Sequence, residues 1–240
     1  FEEYIAHLKE AGFLSISVGE DVYEIHRTAE VPSGYSNVVD CSRDNAGGWI
    51  VTVRRPKDPW SEIRGHWSEP AFRSLLTDAA IASIETIEPD QPISRGQFAF
   101  LYASILEPVQ ENGPAFSDVS ADSPYAQAIR TVAAAGFMRG SGGSFSPQRT
   151  ISRQEAAVSI AAAIPGQDLA YLTYSDTSSI AGWAFQSVQK LSFHGIMQGS
   201  GNAFRPKDPL TWGQAAVLIH QLTPFLQQDS GVTSAGRPRS

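Results

Sequence analysis

Three short segments open with a hydroxyl residue and carry Gln or Glu three positions later: Ser94–Gln97 (SRGQ), Ser152–Glu155 (SRQE) and Thr211–Gln214 (TWGQ). This is the capping-box pattern of a helix start, in which the N-cap hydroxyl and the N3 side chain satisfy one another's backbone amides. Capping accounts for the first and fourth letters and leaves the second unexplained. Arg95 and Arg153 place a cation at N1, beside the positive end of the helix dipole, where it is mildly unfavourable. A helix N-terminus flanked by a guanidinium suits a carboxylate or phosphate, because the forked donors match two oxygens. The plainer alternatives are a solvated arginine, or one paired with a nearby acid such as Asp118. The third segment has Trp212 where the other two have arginine.

Asp118 in FSD and Asp176 in YSD are the carboxylates that a hydrolase would use as acid and nucleophile. They occupy equivalent positions of separate repeats, however, and an Asp in such a context caps the following turn. His7, His26, His66, His194 and His220 show no metal-ligand spacing, and no nucleophile motif is present. Cys41, the single cysteine, excludes an internal disulfide and reads as a small buried residue. No catalytic residue, metal or cofactor is expected.

The elements that must position these residues repeat along the chain. MRGSGGSFSPQRTISRQE (Met138–Glu155) returns as MQGSGNAFRPKDPLTWGQ (Met197–Gln214), 59 positions later. Upstream, FSD and Tyr125-Ala126 return as YSD and Trp183-Ala184 at an offset of 58. At the same offset, Pro89, Ile93, Ser94 and Arg95 precede Pro147, Ile151, Ser152 and Arg153, and Trp67 precedes Tyr125. A register of this length marks a repeat architecture. Three units follow, at about 60–108, 116–165 and 174–224. The first is degenerate: it lacks the glycine cluster, and Trp60 stands in place of Asp118 and Asp176. Each unit reads as a helix carrying Trp67, Tyr125 or Trp183, a loop, and a capped second helix. Gly140 and Gly199 belong to loops whose glycines either end a helix or admit a ligand to backbone N–H groups.

Residues 1–59 differ. Phe1, Ile5 and Leu8 share a helical face, and strand-like runs (FLSISV, VYEIHR, NVVDCS, WIVTVRR) alternate with turn compositions. A small α+β unit, mostly antiparallel β, is expected there. The last stretch, 225–240, has almost nothing to bury and reads as a flexible tail.

The net charge is −7, and residues 1–115 carry 18 acids against 9 bases, while residues 116–215 carry 6 against 7. No basic stripe exists to neutralise phosphates, which argues against nucleic acid. No apolar run is long enough to span a membrane. The chain opens on Phe1 without an initiator Met, which fits a processed or trimmed form.

FSDVSADSPYAQAI…AGFMRGSGGSFSPQRTISRQE and YSDTSSIAGWAFQSV…HGIMQGSGNAFRPKDPLTWGQ resemble S-layer homology repeats over about 165 of the 240 residues. That resemblance implies a mainly α fold in which three helix–loop–helix repeats form one pseudo-threefold domain, here at 60–224. It also implies a secreted protein anchored non-covalently to the cell surface. Grooves between repeats would bind pyruvylated cell-wall polysaccharide or a peptidoglycan-linked glycan. The ketal carboxylate would supply a chemical reason for Arg153 and Arg95. Arg153, Asp118 and Tyr125 form the expected best site, with Trp67, Asp176, Trp183, Gly140 and Gly199 as further candidates. Trp212 offers a stacking surface or a packing group. The rival to anchoring is a structural subunit whose repeats self-assemble.

Overall fold

The computed structural model describes residues 13–18, 23–27, 38–43, 49–54, 60–77, 80–81, 87–106 and 114–229. The chain divides into two compact units, Phe1–Ser61 and Glu62–Ser240. In the first, β1 (Phe13–Val18), β2 (Tyr23–Arg27), β3 (Val38–Arg43) and β4 (Trp49–Arg54) form an antiparallel sheet in sequence order. Its register aligns Ile16 with Ile25, Ile25 with Val39 and Val39 with Val53. The expected helix over Phe1, Ile5 and Leu8 lies outside the described residues, as do residues 230–240.

The second unit is helical. α1 (Glu69–Leu75), α3 (Ala126–Ala134) and α5 (Gly182–Phe193) are the first helices of the three repeats. The second helices are α2 (Arg95–Ala103), α4 (Arg153–Ala161) and α6 (Trp212–His220). A closing helix, α7, spans Thr223–Asp229, so residues 225–229 are helical where a tail was expected. The physical reason is Phe225, whose ring meets His194 edge-on with centroids 5.4 Å apart.

Each second helix packs against the first helix of the next repeat: α2 on α3, α4 on α5, and α6 back on α1. The cycle closes at its centre through three backbone hydrogen bonds. Ile93 N–H donates to Leu210 C=O, Leu210 N–H to Ile151 C=O, and Ile151 N–H to Ile93 C=O, at 2.9, 2.9 and 3.1 Å. These three residues are one register position of the three repeats, and all are fully buried. The three apolar side chains thus line a common axis, and each buried backbone donor is matched by a neighbour's carbonyl. The first unit, degenerate in sequence, joins this ring through Ile93, α1 and α2.

The helix starts behave as caps. Ser94 and Thr211 hydroxyls accept from the Gln97 and Gln214 amides at 3.2 and 3.3 Å. The α4 start carries the same box, and there Glu155 Oε2 accepts from both the amide and the hydroxyl of Ser152, at 2.9 and 3.0 Å. Arg149 grips the same carboxylate at 2.7 and 3.1 Å. Burial raises the Glu155 pKa, but the bonds from Arg149 and Ser152 outweigh it and hold the carboxyl below its usual range.

Candidate functional site between the repeats

The N1 and N2 amides of each second helix are already occupied. Arg95 and Gly96 N–H donate to Arg149 and Pro147 C=O, at 2.8 and 2.9 Å. Arg153 and Gln154 donate to Asp208 and Pro206 C=O, at 3.0 and 2.9 Å. Trp212 and Gly213 donate to Gln91 and Pro89 C=O, at 3.1 and 2.8 Å. Each helix start thus plugs into the loop of the following repeat, and its orphan donors go to protein carbonyls.

The N1 arginines follow the same path. Arg153 Nε donates to Phe204 C=O and its Nη2 to Gln198 C=O, both at 2.9 Å. Its guanidinium carbon lies 5.1 Å from the Phe204 ring centroid. Arg95 repeats this with Phe145 C=O and Arg139 C=O at 2.9 Å, 4.7 Å from the Phe145 ring. Burial lowers both pKa values, though a guanidinium in protein stays charged. Two donors of each fork and one ring face therefore join one repeat to the next. Trp212, the third N1 residue, is 3 % exposed and packs toward Phe72 with centroids 6.5 Å apart.

Asp118 and Asp176 do the work expected of turn caps, at long range. Asp118 accepts from the amides of Phe145 and Ser146, both at 2.7 Å. Asp176 accepts from Phe204 and Arg205, at 2.8 and 2.7 Å. Ser146 and Arg205 have φ of 60° and 57°, a left-handed conformation that non-glycine residues resist. The carboxylates hold these residues there. For Asp118 the Phe145 amide is the largest influence and lowers the pKa; burial opposes it, and the Ser146 amide and the nearby Arg95 charge add to the lowering.

The loop glycines are sterically required. A Cβ on Gly140 would lie 2.4 Å from the Phe116 ring and 2.5 Å from Ser144 O; on Gly199, 2.4 Å from Ala203 O and 2.8 Å from the Tyr174 ring. Gly199→Ala should therefore lose about 1–3 kcal/mol of stability, the usual cost of overpacking. Urea denaturation checks it, and an unchanged midpoint would show that the loop yields freely.

The expected grouping of Arg153 with Asp118 and Tyr125 is not the one found. Asp118 acts electrostatically on Arg95, and Asp176 and Asp208 act on Arg153. The sequence offset linked residues within a repeat, whereas the ring brings a second helix to the loop of the next repeat. Tyr125 lies on the first repeat, its ring against Gly96 and edge-on to Phe100 at 6.3 Å. Trp67 and Trp183, at the same register position, are 59 % and 61 % exposed.

Trp183 borders a cleft of about 230 Å³ between the second and third repeats, lined also by Arg149, Gln154, Glu155, Lys207 and Pro209. Arg149 and Lys207 were not singled out from sequence. They are the residues two and one places after Pro147 and Pro206, a loop position that carries no motif. Among the described residues no cluster of three or more metal-ligating side chains occurs, and no helix is long and apolar enough to cross a membrane.

Comparison with known proteins bears on these repeats. The model of the S-layer homology domain matches residues 115–157 and 173–216. An amylopullulanase of Thermoanaerobacterium thermosulfurigenes is 27 % identical over 68 % of this chain and 9 % of its own length. The exoglucanase XynX of Acetivibrio thermocellus is 26 % identical over 79 % of this chain and 18 % of its own. A surface-layer 125 kDa protein of Lysinibacillus sphaericus is 28 % identical over 67 % and 14 %. The chain thus spans less than a fifth of each of these relatives. The S-layer homology model thus matches the second and third units, and the first unit, outside the matched residues, packs with them in the ring.

Proposed function

We propose that the repeat unit anchors an exported chain to the cell surface by binding a cell-wall glycan between its repeats. The match of the second and third units to the S-layer homology domain carries this reading. The cleft at Trp183 suits it chemically: an exposed indole offers a face for a sugar ring, and Arg149 and Lys207 offer charge to an acidic substituent. A pyruvylated wall polymer, whose ketal is a carboxylate, is the ligand class proposed. The chain binds rather than catalyses in this reading.

Sedimentation with native walls is the test. The chain should pellet with native walls and stay in solution with walls stripped of pyruvylated polymer. Failure to pellet with native walls would sink the anchoring reading. The surface-layer relative supports a second role, self-assembly into a surface lattice. Light scattering of the purified chain should then show particles well above its 25.9 kDa mass.

A further inference from the structure

The ring generates three register-equivalent clefts, and they differ in shape and in charge. The residue at N2 of each second helix decides the shape. In the cleft between the first and second repeats this residue is Gly96, and a Cβ there would lie 3.0 Å from Tyr125 Cδ2. The tyrosine ring has therefore moved in against the helix backbone. Between the third and first repeats it is Gly213, and a Cβ there would lie 2.9 Å from Ser68 Oγ and 3.1 Å from His66 Cε1. Ser68 and His66, bonded to each other at 2.7 Å, occupy that space. Between the second and third repeats the N2 residue is Gln154. Its Oε1 accepts from Ala181 N–H at 3.0 Å, bracing the start of α5; Trp183 is exposed there, as Trp67 is at the third cleft, so an indole face is offered at two clefts and not at the first.

The loop positions that face these clefts set the charge. The open cleft has Arg149 and Lys207. Their register equivalents are Gln91 and Gln148 in the first cleft, and Asp208 and Asp90 in the third. At these two positions one cleft carries two bases, one two neutral amides and one two carboxylates. The two bases are not alike. Arg149 is committed to Glu155 through two bonds. Lys207 is exposed and has no hydrogen-bond or ion-pair partner among the described residues.

We infer that this chain reads an acidic glycan in one cleft of the three, with Lys207 as the residue that selects for the ligand's carboxylate and Trp183 as its sugar platform. The N1 arginines, which meet the neighbouring repeat's carbonyls, serve the ring instead. The inference rests on the glycan-binding reading above and adds stoichiometry and selectivity to it.

The test is calorimetric titration of the whole chain with a pyruvylated disaccharide, beside the wall-sedimentation assay. The expected result is one site per chain, with affinity that falls as salt rises. Lys207→Glu should weaken binding at least about tenfold, the scale of one charge-assisted bond. Gln148→Glu, its counterpart in the first cleft, should leave binding unchanged. Trp183→Ala should weaken binding while keeping the salt dependence. Lys207 is exposed, so the melting temperature of its variant should match wild type and separate binding from folding. Two or three sites, or equal affinity for Lys207→Glu, would overturn this inference and leave wall anchoring intact. Sedimentation with walls but no binding of the disaccharide would do the same. A chain that neither binds the sugar nor pellets with walls would remove both readings.

Discussion

Trp212→Ala should destabilise the repeat unit by about 3–5 kcal/mol, the range for deleting a buried large aromatic. Trp212 is 3 % exposed at the start of α6, where that helix closes the ring on α1 and Phe72. The reason for a tryptophan there lies in the partner loop. Arg95 and Arg153 reach loops that present Phe145 and Phe204. The register equivalent in the first repeat is Ile87, which is buried and offers no ring face. The junction that lacks an aromatic in its loop supplies one from the helix. Trp212→Arg should therefore fail to restore stability, although it recreates the arginine of the other two helix starts, because its charge would be pressed into an apolar contact. Urea unfolding followed by far-ultraviolet circular dichroism measures both variants without relying on the lost indole. A loss below about 1 kcal/mol for Trp212→Ala would mean that the ring does not depend on this contact.

Much of the ring was legible because its parts are local patterns that recur. The 58- and 59-residue offsets marked the helix pairs, and the three capping boxes marked the second-helix starts. What stayed hidden is the step from one repeat to the next. In sequence Arg153 stands at a helix end open to a ligand, to solvent or to Asp118 of its own repeat. Its partners are carbonyls at Gln198 and Phe204, which any residue type supplies and which leave no mark in a sequence. Asp118 was legible as a turn cap, yet its turn lies at Phe145 and Ser146. The Gly, Gln, Gly alternation at N2 (Gly96, Gln154, Gly213) was visible in the chain. Its meaning depends on which aromatic faces it across the ring, and only the geometry provides that. The same holds for Lys207, one base among many until the cleft places it beside Trp183.

Arg153→Ala should cost the ligand-free protein about 2–4 kcal/mol. A hydrogen bond from a charged donor contributes roughly 1.5–3 kcal/mol, and a guanidinium over a ring adds about 0.5–1 kcal/mol. The bond to Phe204 C=O is partly shielded and should dominate; the one to Gln198 C=O is exposed and should add little. Arg153→Lys should recover only part of the loss, because an ammonium cannot serve two carbonyls and a ring face from one rigid plane. The junction role and a ligand role give opposite patterns. If Arg153 joins the repeats, its alanine variant unfolds at lower urea without any sugar present, and the remaining folded protein binds a pyruvylated disaccharide within about twofold of wild type. If Arg153 instead contacts the carboxylate, stability barely changes and affinity falls tenfold or more, since about 1.4 kcal/mol corresponds to a factor of ten. Denaturation and titration of the same variant therefore decide between them. The first pattern is expected, because the fork's Nε and one Nη2 donor are already spent on the next repeat, and a ligand would have to compete with bonds that hold its own binding cleft together.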